Sequence, residues 1–376
     1  MSPHRRRDQE VPNRVVAIDA VGISGGGGRE VVHDVIVACA QHPGLDRLVV
    51  FLSDPPLAAD LREHPGLEVV DVGGHGLAWR LWWWRAGFRR ACRRAGAGPS
   101  LHLANIALVG NSAGAAALVH QLNALEVPAL SVVGRRRWLR YRLLQHLVRH
   151  TARTVDVVFV QSDVVKEMMT RVVKSDQQVQ IEVAPPAPPA SLPTPRPGRA
   201  EQPGQEGACF VYVGSAAPHK NVRLLLEAMP GLRCRLPDAR MLLTLDEPRE
   251  ADIPSGVVLV GSQDRQGVAD LLAGATALVL PSYSETVGLP MLEAMSLGVP
   301  VLASDRPFAR AVCADAALYF DPEAPAALRD ACVAVATDET LRERLRDAGL
   351  ERVAALRAEA GGLRIADWLA ERSRRS

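Results

Sequence analysis

A chain of 376 residues is longer than one hydrophobic core comfortably organises, so two domains are expected. Its apolar share of 48% and charged share of 23% are those of an ordinary globular protein, and no run approaches the ~20 apolar residues of a membrane-spanning helix, which excludes a protein built from such helices. A formal net charge of +2 conceals a first half rich in unmatched arginine, while lysine occurs only at Lys166, Lys174 and Lys220.

Met1 to Arg14 is basic and polar with no apolar run behind it. It reads as a frayed tail and not as a secretory signal, and a cytoplasmic location is expected. Short branched apolar runs then recur before turn residues: Val15–Ile18, Leu48–Leu52, Leu67–Val70, Ala129–Val133 and Val157–Val160. They have the character of buried parallel strands, and helical stretches such as Glu30–Ala40 lie between them, so an α/β layered domain is predicted. After the first strand, VGISGGGGR (Val21–Arg29) places Gly25 to Gly28 at a strand-to-helix turn, where glycines let backbone approach a ligand closely. This is not a dinucleotide fingerprint, since G-x-G-x-x-G fails at Ser24 and Glu30. No G-K-[ST] exists for a P-loop.

Two stretches of the first half mix aromatic and basic residues without an acid. Trp79 to Arg94 sets Trp79, Trp82, Trp83, Trp84 and Phe88 among six arginines, and Arg135 to Arg153 sets Trp138 and Tyr141 among seven. Such helices suit the headgroup zone of an anionic membrane; the alternative is an arginine-rich helix packed by its tryptophans. No nucleic-acid-binding signature accompanies them. His146 and His150 stand one helical turn apart, but Arg142, Arg149 and Arg153 around them repel a cation, so they are read as solvated.

Between Ala184 and Gly207 the proline density breaks any helix or central strand. The chain is therefore divided into an N-terminal domain (1–187), a linker (188–207), a C-terminal domain (208–350) and a helical segment (351–376). The second domain repeats the strand-then-helix style at Cys209–Val213, Met241–Leu245, Val257–Val260, Ala277–Leu280 and Val299–Ala303. Leu341 to Arg375 reads as charged amphipathic helix free to pack on either domain. The six cysteines are far apart, with no C-x-x-C pair, and read as reduced and mostly buried. No metal site and no cofactor are expected.

The most informative stretch is LVLPSYSETVGLPMLEAMSLGVPV, Leu278 to Val301. A buried strand ends at Pro281, a polar loop carries Glu285, and Gly288 and Pro290 introduce a helix that Gly298 ends. N–H groups near Val287 to Leu289 would point from the sheet's carboxyl edge as an anion site, with Glu293 one turn on and able to accept two sugar hydroxyls.

This segment resembles the E-x7-E motif of the family 4 retaining glycosyltransferases of GT-B fold, with Glu285 and Glu293 as the two acids. The resemblance implies two Rossmann-like parallel-sheet domains facing across a cleft. It also implies a nucleotide-sugar donor held by the C-terminal half: Glu293 on the ribose, Glu285 on the transferred sugar, and Thr286, Val287, Gly288 and Leu289 along the diphosphate. VYVGSAAPHKN (Val211–Asn221) resembles the family's first C-domain loop, with Gly214 at the turn and Lys220 as the diphosphate cation. Ser215 stands where many relatives carry a second cation. In FARAVCADAALYFDP (Phe308–Pro322), Ala311 replaces a common acid. The same resemblance brings Gly26 and Gly27 to the donor phosphates and His120 near the donor sugar, with Asn105 a weaker parallel.

Glu285, Lys220 and His120 are thus the expected catalytic residues. The acceptor is expected to be a glycan or lipid-linked molecule at the inner face of the membrane. A soluble small-molecule acceptor and a non-catalytic GT-B binding protein are the other readings. A GT-A transferase would show a D-x-D metal motif, and none is present.

Overall fold

A computed structural model of the chain describes residues 15–23, 26–73, 76–108, 114–127, 130–173, 179–188, 192–196, 207–246, 253–359 and 361–375. The first half runs β1 (Val15–Ala20), α1 (Gly26–Ala40), β2 (Arg47–Leu52), α2 (Pro55–Arg62), β3 (Leu67–Asp71), α3 (Leu77–Trp82), α4 (Phe88–Ala95), β4 (Ser100–His102), β5 (Ala115–Val119), α5 (Leu130–Thr154), β6 (Val157–Val160), α6 (Asp163–Val172) and β7 (Gln180–Val183). One π turn, Trp83–Gly87, joins α3 to α4. The second half runs β8 (Cys209–Tyr212), α7 (Val222–Arg235), β9 (Arg240–Leu243), β10 (Val257–Leu259), α8 (Arg265–Ala273), β11 (Ala277–Leu280), α9 (Leu289–Ser296), β12 (Val301–Ser304), α10 (Pro307–Cys313), β13 (Ala317–Phe320), α11 (Pro325–Thr337), α12 (Glu339–Ala358) and α13 (Gly361–Arg375).

These strands form two all-parallel sheets, ordered β3-β2-β1-β4-β5-β6-β7 and β10-β9-β8-β11-β12-β13. Strands β1, β8, β11 and β12 are buried along their whole length because helices cover both faces, which is why their sequences run apolar without alternation. Each sheet lays strands one way from its first strand and then reverses. The reversals fall between β1 and β4 and between β8 and β11. Loops leaving the carboxyl ends there diverge, and the crevice between them is where such sheets bind ligands.

The strand expected at Ala129–Val133 is not one: helix α5 starts at Leu130, and the strand in that part of the sheet is β5, AAALV. Three alanines carry little intrinsic strand preference. Pairing with β4 on one side and β6 on the other makes the segment a strand, a tertiary effect that local sequence does not display. The C-terminal helix is also two helices. α12 runs through residue 350 and lies against α9 and α11, whereas α13 packs on α1, with Trp368 edge-on to Phe159.

Between α12 and α13 the chain returns to the first domain beside the connection that left it. The Gly361 N–H donates to the Pro185 carbonyl at 2.8 Å. A Cβ on Gly361 would fall 2.2 Å from the Ala184 carbonyl carbon, so only glycine lets the two crossings touch. Of the expected linker, residues 189–191 and 197–206 lie outside the described residues. Arg196 within it donates its N–H and Nε to Asp270 of α8, each at 2.9 Å. All six cysteines are free and only Cys234 is exposed; burial pushes the Cys39 and Cys313 thiols up to about 12. Among the described residues no helix is long and apolar enough to cross a membrane.

Candidate active site

The loops leaving β8 and β11 flank the reversal of the second sheet. From β8 the chain passes Gly214 and Ser215, makes a 3-10 turn at Pro218–Lys220 and enters α7 through Asn221 at φ +52°. The Asn221 side-chain amide donates to the carbonyls of Pro281 (3.3 Å) and Pro322 (2.9 Å), which ties this loop to the ends of β11 and β13. Lys220 Nζ is thereby held 2.6 Å from Glu285 Oε1. The same oxygen accepts the Ser282 hydroxyl at 2.7 Å. A charge-assisted pair this enclosed fixes both side chains, and it keeps a cation and an acid side by side at the sheet edge.

Around this pair the neighbouring groups are pushed toward their neutral forms. Burial lowers the His219 pKa, Lys220 adds to the effect and Glu285 opposes it. Burial and then the Glu285 charge raise the Tyr212 pKa, so its hydroxyl stays protonated and donates a hydrogen bond to the Ser215 carbonyl at 2.7 Å. Gly214 passes beneath: a Cβ there would lie 2.7 Å from that hydroxyl, and its N–H donates to Thr244 Oγ1 at 3.0 Å. Ser215 contributes its backbone to this arrangement and no cation.

Gly288 caps α9 at φ +82°, where a Cβ would meet Met291 Cε at 2.8 Å and Leu280 Cδ2 at 3.1 Å. Glycine is required twice over, by the backbone and by the space. It lets the chain turn from the part-buried SETVG loop into a helix that has Pro290 in its first turn and the Met291 N–H on the Gly288 carbonyl at 2.9 Å, so that the Leu289 N–H stands at the positive end facing the crevice.

The first domain meets this surface at three points. Gly26 opens α1, and Gly27 and Gly28 lie in its first turn, at the strand-to-helix turn expected for them. A Cβ on Gly27 would stand 3.1 Å from Leu289 Cδ1, and Leu289 packs against the cores of both domains. Ser162, at the end of β6, donates its hydroxyl to the Thr286 carbonyl at 3.3 Å. Arg265 of α8 pairs with Glu30 of α1 at 3.1 Å. Two helix N-termini therefore converge across the cleft.

His120 follows β5 and is buried beneath Gly28; a Cβ on that glycine would be 3.1 Å from His120 Cε1. Burial lowers its pKa to about 4, against the opposing pull of the Leu103 carbonyl, so the ring is neutral. Nε2 lies 3.0 Å from the Leu103 carbonyl oxygen, which can only accept, and this assigns the proton to Nε2 and leaves Nδ1 a lone pair toward the glycine turn. Asn105, at φ +65°, accepts the N–H groups of His120 (2.7 Å) and Gln121 (3.1 Å) on its amide oxygen. Its role is to hold the turn that carries His120.

Glu293, one turn into α9, is half-buried. Burial and the nearby Glu30 charge raise its pKa to about 7, and Arg265 only partly offsets them. The expected residues Glu285, Lys220, His120 and Glu293 thus all lie on loops or helix starts at the carboxyl edges of the two sheets. Glu30, Arg265, Ser162, His219 and Ser282 join them without having been singled out. Glu30 and Ser282 stand inside or beside the motifs already read; nothing local marks Arg265 or Ser162, because the facing domain gives them their position. Among the described residues no cluster of three metal-ligating side chains occurs.

Two Rossmann-wound sheets facing each other through their carboxyl edges define the GT-B fold. Sucrose-phosphate synthase from Thermosynechococcus elongatus superimposes with a TM-score of 0.71 at 19% identity, over 94% of this chain and 98% of that one. The chain matches, over residues 199–352 or about two fifths of its length, the family model described as glycosyl transferases group 1. It is similar to the phosphatidyl-myo-inositol mannosyltransferase of Mycobacterium leprae, 34% identical over 145 residues, which is 36% of this chain and 39% of that protein. It is also similar to the O-antigen chain mannosyltransferase B of Escherichia coli, 33% identical over 147 residues, 35% of this chain and 38% of that protein. The aligned part spans about two fifths of either relative.

Proposed function

We propose that the chain is a retaining, metal-independent glycosyltransferase of family 4 type that takes a sugar from a nucleotide-sugar and passes it to a glycan or lipid-linked acceptor. The observation that carries the reading is the Lys220–Glu285 pair at 2.6 Å beside the N-terminus of α9. In the reaction the bond from the anomeric carbon to the diphosphate oxygen breaks, and negative charge grows on the leaving diphosphate. A fixed lysine and aimed N–H groups stabilise that charge without reorganisation. Glu293 accepts the ribose hydroxyls. Glu285 has one oxygen committed to Lys220 and Ser282 and the other available to a hydroxyl of the transferred sugar. His120 Nδ1 accepts a further hydroxyl from the opposite wall, and the acceptor oxygen bonds to the anomeric carbon on the face the diphosphate leaves while its proton passes to the departing diphosphate oxygen. Donor and acceptor are substrates, and no cofactor takes part.

The two similar proteins are named for a phosphoinositide and for O-antigen chains, and both names favour an acceptor of lipid or surface-glycan kind. The surface of the first domain supports the same reading. α3, α4 and α5 cover one face of the first sheet and expose Trp82, Leu139 and Leu143 among arginines. The expectation that Trp82 to Trp84 all face a membrane is corrected: Trp83 and Trp84 are buried, at 5% and 8% exposure, because the π turn rotates both inward. Trp82 and the outer side of α5 carry the proposed contact with an anionic inner leaflet; nucleic acid is not a proposed partner.

The test is release of free nucleoside diphosphate from a panel of UDP-, GDP- and ADP-sugars. Release from at least one, cut about 10²- to 10³-fold in Lys220→Ala, is the expected result; none from any of them favours a binding protein that has kept the fold.

A further inference from the structure

Asp19 is a fully buried carboxylate in a strand that is otherwise VVAI-A. Burying an ionisable group among apolar side chains is expensive unless it is hydrogen-bonded, so what holds it shows what it organises. Oδ1 accepts the Val21 N–H at 3.2 Å and the Trp83 indole N–H at 3.1 Å; Oδ2 faces His102 Nδ1 at 3.4 Å. One carboxylate thus joins the first peptide beyond β1, the helix between β3 and β4, and the end of β4.

The π turn is what delivers Trp83. π turns are rare and accompany functional positions, since the extra residue re-aims the side chains after it. Gly87 permits this one: a Cβ there would lie 2.8 Å from Trp83 Cε3 and 3.0 Å from Trp82 Cζ3. Trp83 then stacks on Trp79 at 5.7 Å and 9°, and Phe88 meets His102 edge-on at 4.8 Å. The next indole, Trp84, lies against Gly22, where φ is +100° and a Cβ would be 3.5 Å from Trp84 Cζ2. Both residues of the turn out of β1 are therefore clamped, Val21 by Asp19 and Gly22 by Trp84. Beyond this turn the chain reaches Gly27 and Gly28, which touch Leu289 and His120.

We propose that Asp19 is a positioning residue for the donor site: with Trp83 and His102 it fixes the Val21–Gly22 turn and so sets how closely the start of α1 approaches the leaving diphosphate. This rests on the transferase reading. It assigns Asp19 no contact with substrate, and the nucleotide itself is held by the other domain. Loss of Asp19 should therefore slow transfer more than it weakens nucleotide binding.

The test compares wild type, Asp19→Ala, Asp19→Asn and Trp83→Phe, with amide hydrogen exchange on the peptide carrying Val21 and Gly22, affinity for UDP and GDP, and turnover of the nucleotide-sugar that wild type uses. The expected result is faster exchange at that peptide, a kcat about 10- to 100-fold lower in Asp19→Ala and Trp83→Phe, and nucleoside diphosphate affinity within about threefold of wild type. Asparagine keeps the oxygen for Val21 and Trp83 and should recover part of the rate. Unchanged exchange, or faster exchange with unchanged kcat, overturns the proposal; so does a loss that tracks nucleotide affinity, or an asparagine variant no better than alanine. Trp83→Phe keeps most of the packing and serves should Asp19→Ala not fold. If wild type turns over no nucleotide-sugar, it is the transferase reading that fails, while exchange in Trp83→Phe still decides whether this hydrogen bond orders the turn.

Discussion

Arg265 and Glu30 meet at 3.1 Å across the cleft, one at the start of α8 and the other in α1, and the charge of each reaches Glu293. The acid expected to hold the donor ribose thus titrates in a field set by the facing domain. Burial and Glu30 favour its neutral form, with a pKa of about 7. A raised carboxyl pKa means that the folded state binds the proton more tightly than the unfolded chain. The stabilisation is complete below the ordinary glutamate range and is lost as pH rises through about 7.

From this follows a pH dependence of nucleotide binding. Ribose hydroxyls donate, so they need the ionised carboxylate. With a midpoint near 7, affinity for the cognate nucleoside diphosphate should weaken about tenfold from pH 8 to pH 6, and binding at pH 7 should release about half a proton. Titration calorimetry in buffers of different ionisation heat measures both. Glu30→Gln removes the like charge and frees Arg265, so the midpoint should move to lower pH. A flat profile in wild type would remove Glu293 from the ribose.

Substitution of Lys220 and of Glu293 should separate function from stability. Lys220→Ala and Glu293→Ala are each expected to cost about 10²- to 10³-fold in transfer, the usual loss of one preorganised electrostatic contact. Their effects on folding should differ. Lys220→Ala leaves the Glu285 carboxylate enclosed with only Ser282 on it, and breaking such a pair costs about 3 to 5 kcal/mol when burial is complete, less here. Glu293→Ala removes a group whose ionisation the fold disfavours, so its melting temperature at pH 8 should equal or exceed that of wild type. Normal turnover by both variants would sink the donor-site assignment.

How far the sequence foretold this site depends on how locally each part is encoded. Glu285, Gly288 and Glu293 sit in one continuous strand, loop and helix start, and Gly288 carries its own signature because no other residue fits its backbone and its space. The alternation of buried runs likewise revealed two parallel sheets. What stayed hidden is made by tertiary contact. β5 is an alanine-rich strand only because β4 and β6 flank it, and Arg265 and Ser162 join the site because another domain faces them. Trp83 and Trp84 of the π turn depart from expectation for a related reason: a one-residue change in helical register turns both inward, and no periodic pattern announces it.

Transfer should persist in excess EDTA. On the proposed reading the diphosphate charge falls to Lys220 and to the positive end of α9 beside it. Turnover assayed with and without chelator, and with added Mg²⁺ or Mn²⁺, checks this. Strict dependence on either ion would mean that the lysine and the helix end do not suffice.

The last expectation concerns the outer surface of the first domain. Trp82 is 48% exposed, Leu139 53% and Leu143 46%, and around them Arg85, Arg89, Arg90, Arg136, Arg137 and Arg140 are exposed on the helices that cover one face of the sheet. Each basic group near an anionic bilayer contributes about 1 kcal/mol, and the attraction is screened over about 8 Å at physiological ionic strength. Wild type should therefore sediment with vesicles containing anionic lipid and not with neutral ones, and added salt should release it. Arg89→Glu with Arg90→Glu should lose the binding while keeping its melting temperature, since neither side chain is buried. Trp82→Ala should weaken it, whereas Trp84→Phe, altering a side chain that faces Gly22 and not solvent, should leave vesicle binding as it was. If wild type ignores anionic vesicles at low salt, the acceptor is better sought among soluble small molecules, and the arginine-rich helices serve only to pack their tryptophans.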